Sequence, residues 1–561
     1  MIDARPAGGR PRTGLVAAVA LALAAFATAR AATAPATASE PAPASLIAPA
    51  PAGVLRVLRV DAAGNAGALR SLQGVNGAPA PGAHKPPDFS FGGWNMPPGV
   101  DVTRGYREAR IDLVRTHDAY GPTDIDARFH WSAPGSGFVV GSERSALDIF
   151  PDLNADPENP ASYHFAASDR VIASIEGIGA QVIYRLGRSE TSDVTPPPDF
   201  RRYAAVAEHI VRHYNGGWDH GFRYGIRYWE VWNEPDLGRL FWGGTPEQFY
   251  RLYAEISRAV KRADPQALVG GPTLAKPNDD SPYQDGFLRY VRMHDLPLDF
   301  YSWHWYATDS EDPLDFVRIA RAVRARLDQS GFPRTLSILD EWNYGLDPHL
   351  PPDITRASFV ASALIYMQDA PIDRAALYRA DNLFGADGAT ANKTGAALIA
   401  LGRMKDTPLR LPVQGADLQG FAVLAGRSAD GSLLQVLVSN YEIPPKDRGP
   451  RQGRDVISVP NAFEVRLLPR RSSQYAANAG YALTIENLPP GARYSLERWR
   501  IDAAHTLVRE AMARACSGRV RVAAQLPAPG IELVVLRRAA APMSSGARAA
   551  PQCGRATADG S

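Results

Sequence analysis

Short apolar runs of four to six residues recur along the chain, separated by stretches whose apolar residues fall at helical spacing. Leu72–Val75, Ile111–Arg115, Gln181–Leu186, Arg227–Trp232, Ala267–Gly271, Phe300–Trp305, Leu336–Asp340 and Ala375–Tyr378 are strand candidates bounded by Gly, Pro and Asp. Between them Phe200–Tyr214, Thr245–Asp264, Leu314–Gln329, Thr355–Met367 and Thr394–Met404 carry the 3.6-residue period. Thr245-Pro246-Glu247 supplies an N-cap with proline at the first helical position. Eight strands alternating with helices between residues 66 and 405 predict an α/β fold, a (β/α)8 TIM barrel. A doubly wound open sheet is the alternative that strand counting leaves open.

After residue 406 the rhythm changes. Leu433–Val438, Tyr481–Ile485, Tyr494–Trp499 and Ile531–Leu536 follow one another without helical stretches, which predicts a C-terminal β-sandwich over 406–540. Leu55–Val60 alternates apolar and basic residues ahead of the barrel, and the segment 53–65 is expected to join the sandwich as an N-terminal strand.

The ends of the chain read differently. Arg5, Arg10 and Arg12 precede an apolar run from Leu15 to Ala29, and small residues follow, so residues 1–31 read as an export signal. That run is shorter than the roughly 20 residues that span a bilayer. Cleavage would leave no membrane span and a periplasmic or secreted protein. Residues 32–52 are mostly Ala, Pro, Thr and Ser, the composition of a linker, and 541–561 read as a disordered tail. Only Cys516 and Cys553 occur in the 561 residues, and they pair or remain two thiols.

Composition adds exclusions. With 61 basic and 59 acidic residues the net charge is +2, which gives no footprint for nucleic acid. The scattered histidines lack metal-ligand spacing and no glycine-rich phosphate loop is present, so no metal or organic cofactor is called for.

The chemistry concentrates at two strand ends. In Trp229-Glu230-Val231-Trp232-Asn233-Glu234-Pro235, Pro235 stops the strand and leaves Glu234 at its C-terminal end, the active-site face of a barrel. Trp229 and Trp232 are expected to wall this carboxyl with apolar surface, as suits a general acid. Ile338-Leu339-Asp340-Glu341-Trp342 again ends a strand at a carboxylate. Glu234 closes the fourth strand and Glu341 the seventh, and two carboxyls on nearby strand ends suit glycoside hydrolysis.

These two segments resemble the signatures of glycoside hydrolase family 39, which holds β-xylosidases and α-L-iduronidases on a (β/α)8 barrel. The resemblance implies Glu234 as acid/base, Glu341 as nucleophile and Asn233 as a contact to the sugar 2-hydroxyl. Arg115-Thr116-His117-Asp118 resembles the family's Arg-x-His segment, and His304-Trp305-Tyr306 its His-x-Tyr segment. Arg115, His117, Asp118, His304, Tyr306 and Trp342 are thereby substrate-site candidates. The iduronidase branch carries Lys where this chain has Tyr306, which favours a neutral sugar. At the end of the third strand, Arg185 or Arg188 is a candidate for holding an acidic group instead, with a solvated basic loop as the other reading. The expected activity is retaining hydrolysis of an oligo- or polysaccharide, β-xylosidase-like. An endo-acting enzyme on a bacterial exopolysaccharide and a non-catalytic carbohydrate-binding protein are the alternatives.

Overall fold

The computed structural model describes residues 55–80, 90–91, 94–95, 100–117, 122–126, 148–188, 194–277, 281–307, 311–344, 353–380, 382–443, 456–459, 463–466, 480–516 and 518–539. The signal, the linker, the C-terminal tail, Asp118 and Cys553 lie outside these residues, as does the side chain of Cys516. No helix of the described residues is long and apolar enough to cross a membrane.

Eight parallel strands close into a barrel. In order they are Gly74–Asn76, Leu113–Arg115, Gln181–Leu186, Tyr228–Val231, Leu268–Leu274, Phe300–Tyr306, Leu336–Asn343 and Arg374–Leu377. A helix follows each, from Thr103–Glu108 after the first to Lys393–Met404 after the eighth. Closure decides between the two sheet architectures open to the sequence. The strands read as nearly continuous apolar runs because both their faces are covered, by the barrel interior and by the helices. Helix starts obey local chemistry. Thr245 and Gln248 form a reciprocal capping box on Pro246–Ala263, and Asp199 accepts from the amides of Arg201 and Arg202 at the start of Phe200–Val211.

Beyond the barrel, two sheets face each other. One orders Val413–Gln414, Arg56–Asp61, Gly480–Glu486 and Val520–Gln525; the other orders Leu409–Arg410, Phe421–Arg427, Leu433–Asn440, Gly530–Arg538, Arg493–Ile501 and Thr506–Cys516. Leu58, Val60, Val436, Leu483, Ile485 and Leu536 pack in the core between them. The N-terminal strand runs parallel to Gly480–Glu486, with Arg56 opposite Tyr481 and Asp61 opposite Glu486. Its alternating pattern is explained by this placement, since Leu58 and Val60 face the sandwich core while Val57 and Arg59 face outward.

Candidate active site

The C-terminal ends of the fourth and seventh barrel strands meet across the barrel mouth. Glu234 lies just beyond Val231 in the left-handed region, with φ of +41°, and Trp232 nearby has φ of +73°. Such backbone is rare outside glycine and is held here by its surroundings. The Glu234 amide donates to the Thr273 carbonyl at 2.9 Å, and Pro235 opens a short 3-10 turn. Asp236 accepts from the amides of Ala275 and Lys276, tying this loop to the fifth strand.

On the seventh strand a register shift between Leu339 and Glu341 interrupts the pairing with the sixth strand. In a regular strand successive side chains point to opposite faces. The bulge re-aims them, so consecutive residues Asp340 and Glu341 both reach Arg115. Asp340 Oδ2 lies 3.0 Å from its Nε, and Glu341 Oε2 accepts from its Nη1 at 3.0 Å.

Glu234, His304 and Glu341 each place one donor or acceptor atom within 4.8 Å of the others. One oxygen of Glu234 and one of Glu341 thus lie within 4.8 Å of each other, and a closely spaced pair of carboxyls is the arrangement of retaining glycosidases.

His304 is fully buried on the sixth strand. Its Nδ1 is 2.8 Å from Glu234 Oε1 and 3.9 Å from Glu341 Oε2, and its Nε2 is 3.4 Å from Asp340 Oδ2. Burial disfavours the imidazolium, but Glu341, Asp340 and Glu234 outweigh it and raise the ring well above its usual value. Nδ1–H then donates to Glu234. A raised value makes the stabilising contribution complete below the ordinary histidine range and lost as pH rises through the folded value. Melting temperature in the wild type is thus expected to fall more steeply above neutral pH than in His304→Gln, a difference that thermal scans across pH measure. Parallel slopes would mean an uncharged His304.

Tyr306 donates its hydroxyl to Glu341 Oε1 at 2.5 Å, and burial keeps that hydroxyl protonated. Glu341 thus accepts from both Arg115 and Tyr306. Burial drives its carboxyl up, the Glu234 carboxylate adds to this, and His304, Arg115 and the Tyr306 hydrogen bond oppose. The Arg115 and Tyr306 donors on Glu341 favour its ionised form, the state that a nucleophile needs.

Arg115 is the hub beneath them. Wholly buried, it donates to Glu230 from Nε at 2.6 Å, to Glu341 from Nη1 and to Asn233 Oδ1 from Nη2 at 2.7 Å. Its donors are directed at protein acceptors, which gives it a positioning place rather than the substrate contact expected from the sequence. Asn233 Nδ2 and His117 Nδ1 have no partner among the described residues. His117 sits with Nε2 3.9 Å from Glu341 Oε2. Burial, then the charges of Arg115 and Arg185, hold it well below the usual histidine value and keep it neutral.

The tryptophans require correction. Trp342 is 0% exposed and packs edge-on against Phe316 at 5.1 Å, between barrel and helix, not on a sugar face. Trp229 stacks on Tyr184 at 4.9 Å, and Trp232 packs edge-on against Trp242 at 5.2 Å, so neither walls Glu234 as expected. Trp229 and Trp342 lie on the helix-facing side of their strands, and Trp232, just beyond the fourth, packs near Tyr203 of the helix Phe200–Val211. Arg185 pairs with Asp124, and Arg188 with Asp126 at 2.8 Å, both inside the protein. Glu230 and Asp340, which no signal in the sequence marks as functional, join the cluster through Arg115.

Comparison with known proteins bears on this site. The model of glycosyl hydrolases family 39 matches residues 179–378, from before the third strand to the end of the eighth. A β-xylosidase of Geobacillus stearothermophilus is 27% identical over 253 residues, 39% of this chain and 49% of that protein. A β-xylosidase of Caldicellulosiruptor saccharolyticus is 30% identical over 198 residues, 32% of this chain and 38% of that protein. The matches thus span half or less of these curated relatives. A glucosidase from Croceicoccus marinus, known by crystal structure, is 35% identical with a TM-score of 0.73, covering 87% of this chain and 100% of that one.

Proposed function

The chain belongs to glycosyl hydrolases family 39, and on that premise we propose that it is an exported retaining glycosidase acting on β-linked neutral sugars, β-xylosidase-like in substrate. The observation that carries this reading is the facing of two carboxyls at the barrel mouth, one oxygen of Glu234 within 4.8 Å of one oxygen of Glu341. Ionised Glu341 attacks the anomeric carbon while Glu234 gives its proton to the leaving oxygen, and the sugar becomes an ester of Glu341. That step removes the negative charge of Glu341 and leaves one on Glu234, beside the His304 imidazolium. Glu234 then takes a proton from water, which attacks the ester and releases the sugar with its original anomeric configuration. The unpartnered Nδ2 of Asn233, whose side chain shares the Arg115 guanidinium with the nucleophile, is a donor for the sugar 2-hydroxyl. The neutral His117 offers a second hydrogen-bonding edge.

A neutral substrate is supported by two placements. Tyr306 stands at the position where the iduronidase branch has Lys and spends its hydroxyl on Glu341. Arg185 and Arg188 are committed to Asp124 and Asp126. The match to a glucosidase along that protein's whole length supports a β-glucoside as the second reading. Initial rates on nitrophenyl glycosides test the class: turnover is expected on the β-xyloside or the β-glucoside and not on the α-L-iduronide. Preference for the iduronide, or silence on every member of the panel, would contradict it. The N-terminal signal read from the sequence supports action outside the cytoplasm.

A further inference from the structure

A second pair of carboxyls lies beneath the catalytic glutamates, and the mechanism above does not use it. Glu230 on the fourth strand and Asp340 on the seventh are both 0% exposed. Their oxygens converge on one atom, Arg115 Nε, with Glu230 Oε2 at 2.6 Å and Asp340 Oδ2 at 3.0 Å. Glu230 Oε1 and both oxygens of Asp340 are buried and accept no hydrogen bond from the described residues. Ionised carboxylates are acceptors only, so a hydrogen bond within this pair requires that one of the two hold a proton.

The charges of the enclosed site require the same. Two cations, Arg115 and His304, face four carboxyls: Glu230, Glu234, Asp340 and Glu341. With all four ionised, uncompensated negative charge would sit out of water at a cost of several kcal/mol per ion. A proton held within the Glu230–Asp340 pair reduces that charge where the burial is complete. The other strands do not alter the count. Arg185, the register neighbour of Glu230 on the third strand, is paired with Asp124. Gly270 adjoins Glu230 from the fifth strand, and the first strand contributes the neutral Asn76.

We propose that Glu230 is a positioning residue that enters the site neutral, as the proton-bearing partner of Asp340, and thereby leaves the charge of Arg115 to the nucleophile Glu341. The proposal rests on the retaining mechanism above for its catalytic meaning. Asp340 is the member that keeps the charge, because it faces both Arg115 and His304, whereas Glu230 faces Arg115 alone. Burial drives Glu230 up to about 8, with Arg115 opposing and Asp340 adding, while Arg115 and His304 overcome burial and hold Asp340 below the usual range. When Glu230 ionises on the alkaline side, it repels Asp340 and competes with Glu341 for Arg115, and activity falls.

Glu230→Gln keeps the shape and a donor but cannot ionise. It is expected to retain kcat/KM near pH 6 within about threefold, whereas Glu230→Leu loses about 30-fold or more. The alkaline limb of the pH profile, present in the wild type, is expected to move upward or vanish in Glu230→Gln. Stability supplies a reading that needs no substrate. A carboxyl raised in the folded state has its full stability below the ordinary glutamate value and loses it as pH rises toward about 8. The melting temperature of Glu230→Gln relative to wild type is therefore expected to increase between about pH 5 and pH 8.5. Loss of activity in Glu230→Gln equal to that in Glu230→Leu would overturn the proposal, as would a melting difference constant with pH. If Glu230→Leu does not fold, the Gln variant carries the test alone. A wild type silent on every glycoside would refute the proposed function, while the melting comparison would still decide the protonation of Glu230.

Discussion

Glu341→Ala is expected to lower kcat/KM by at least about 10³-fold, or ~4 kcal/mol of barrier, while the protein stays folded. The loss is large because no other group can take the covalent role. Among the described residues, Glu341 is the carboxyl held by both Arg115 and Tyr306, and those donors fix both its oxygens. The fold is expected to survive because Arg115 retains Glu230, Asp340 and Asn233. Removal of one of two neighbouring buried carboxyls also relieves repulsion against Glu234. Added azide is small enough to enter the space vacated and to attack the same face of the sugar. Partial rescue is expected, with a glycosyl azide of inverted configuration as product. Glu341→Ala that turns over like the wild type would remove the nucleophile from this account.

Arg115→Met is expected to damage both stability and activity. One guanidinium serves Glu230, Asp340, Glu341 and Asn233. The change leaves a cluster of acids without its central cation, and breaking a buried pair costs about 3–5 kcal/mol. Denaturant unfolding measures the first effect, and kcat/KM on the best substrate the second. Arg115→Lys separates charge from geometry. An ammonium keeps the charge but lacks the planar fork that reaches three sides at once, so Arg115→Lys is expected to be more stable than Arg115→Met and still impaired in turnover. A fully active Arg115→Met would contradict the positioning assigned to Arg115.

The barrel was legible because strand and helix periods alternate without ambiguity, and Asn233-Glu234-Pro235 marks where one strand must stop. The resemblance carried by that segment and by Asp340-Glu341-Trp342 located both carboxylates. The faces of the tryptophans were not legible. Strands covered on both sides have no polar face to orient them, so Trp229 and Trp342 gave no sign of pointing toward the helices. The Glu230–Asp340 pair depends on the bulge at Leu339–Glu341, and a bulge comes from pairing with the neighbouring strand, which local sequence does not carry. In the sandwich, Phe421–Arg427, Thr506–Cys516 and Val520–Gln525 were not anticipated. Thr506–Cys516 is an edge strand with exposed Arg509, Glu510 and Arg514, so its composition resembles a surface loop more than a core strand.

Retention through Glu341 requires a covalent bond between the sugar and that carboxylate, which mass spectrometry detects. Wild-type enzyme is incubated with a 2-deoxy-2-fluoro glycoside bearing a good leaving group, digested and mapped. One glycosyl unit on the peptide containing Glu341 is the predicted result. A label on Glu234, or an unlabelled enzyme that releases product of inverted configuration, would contradict the account.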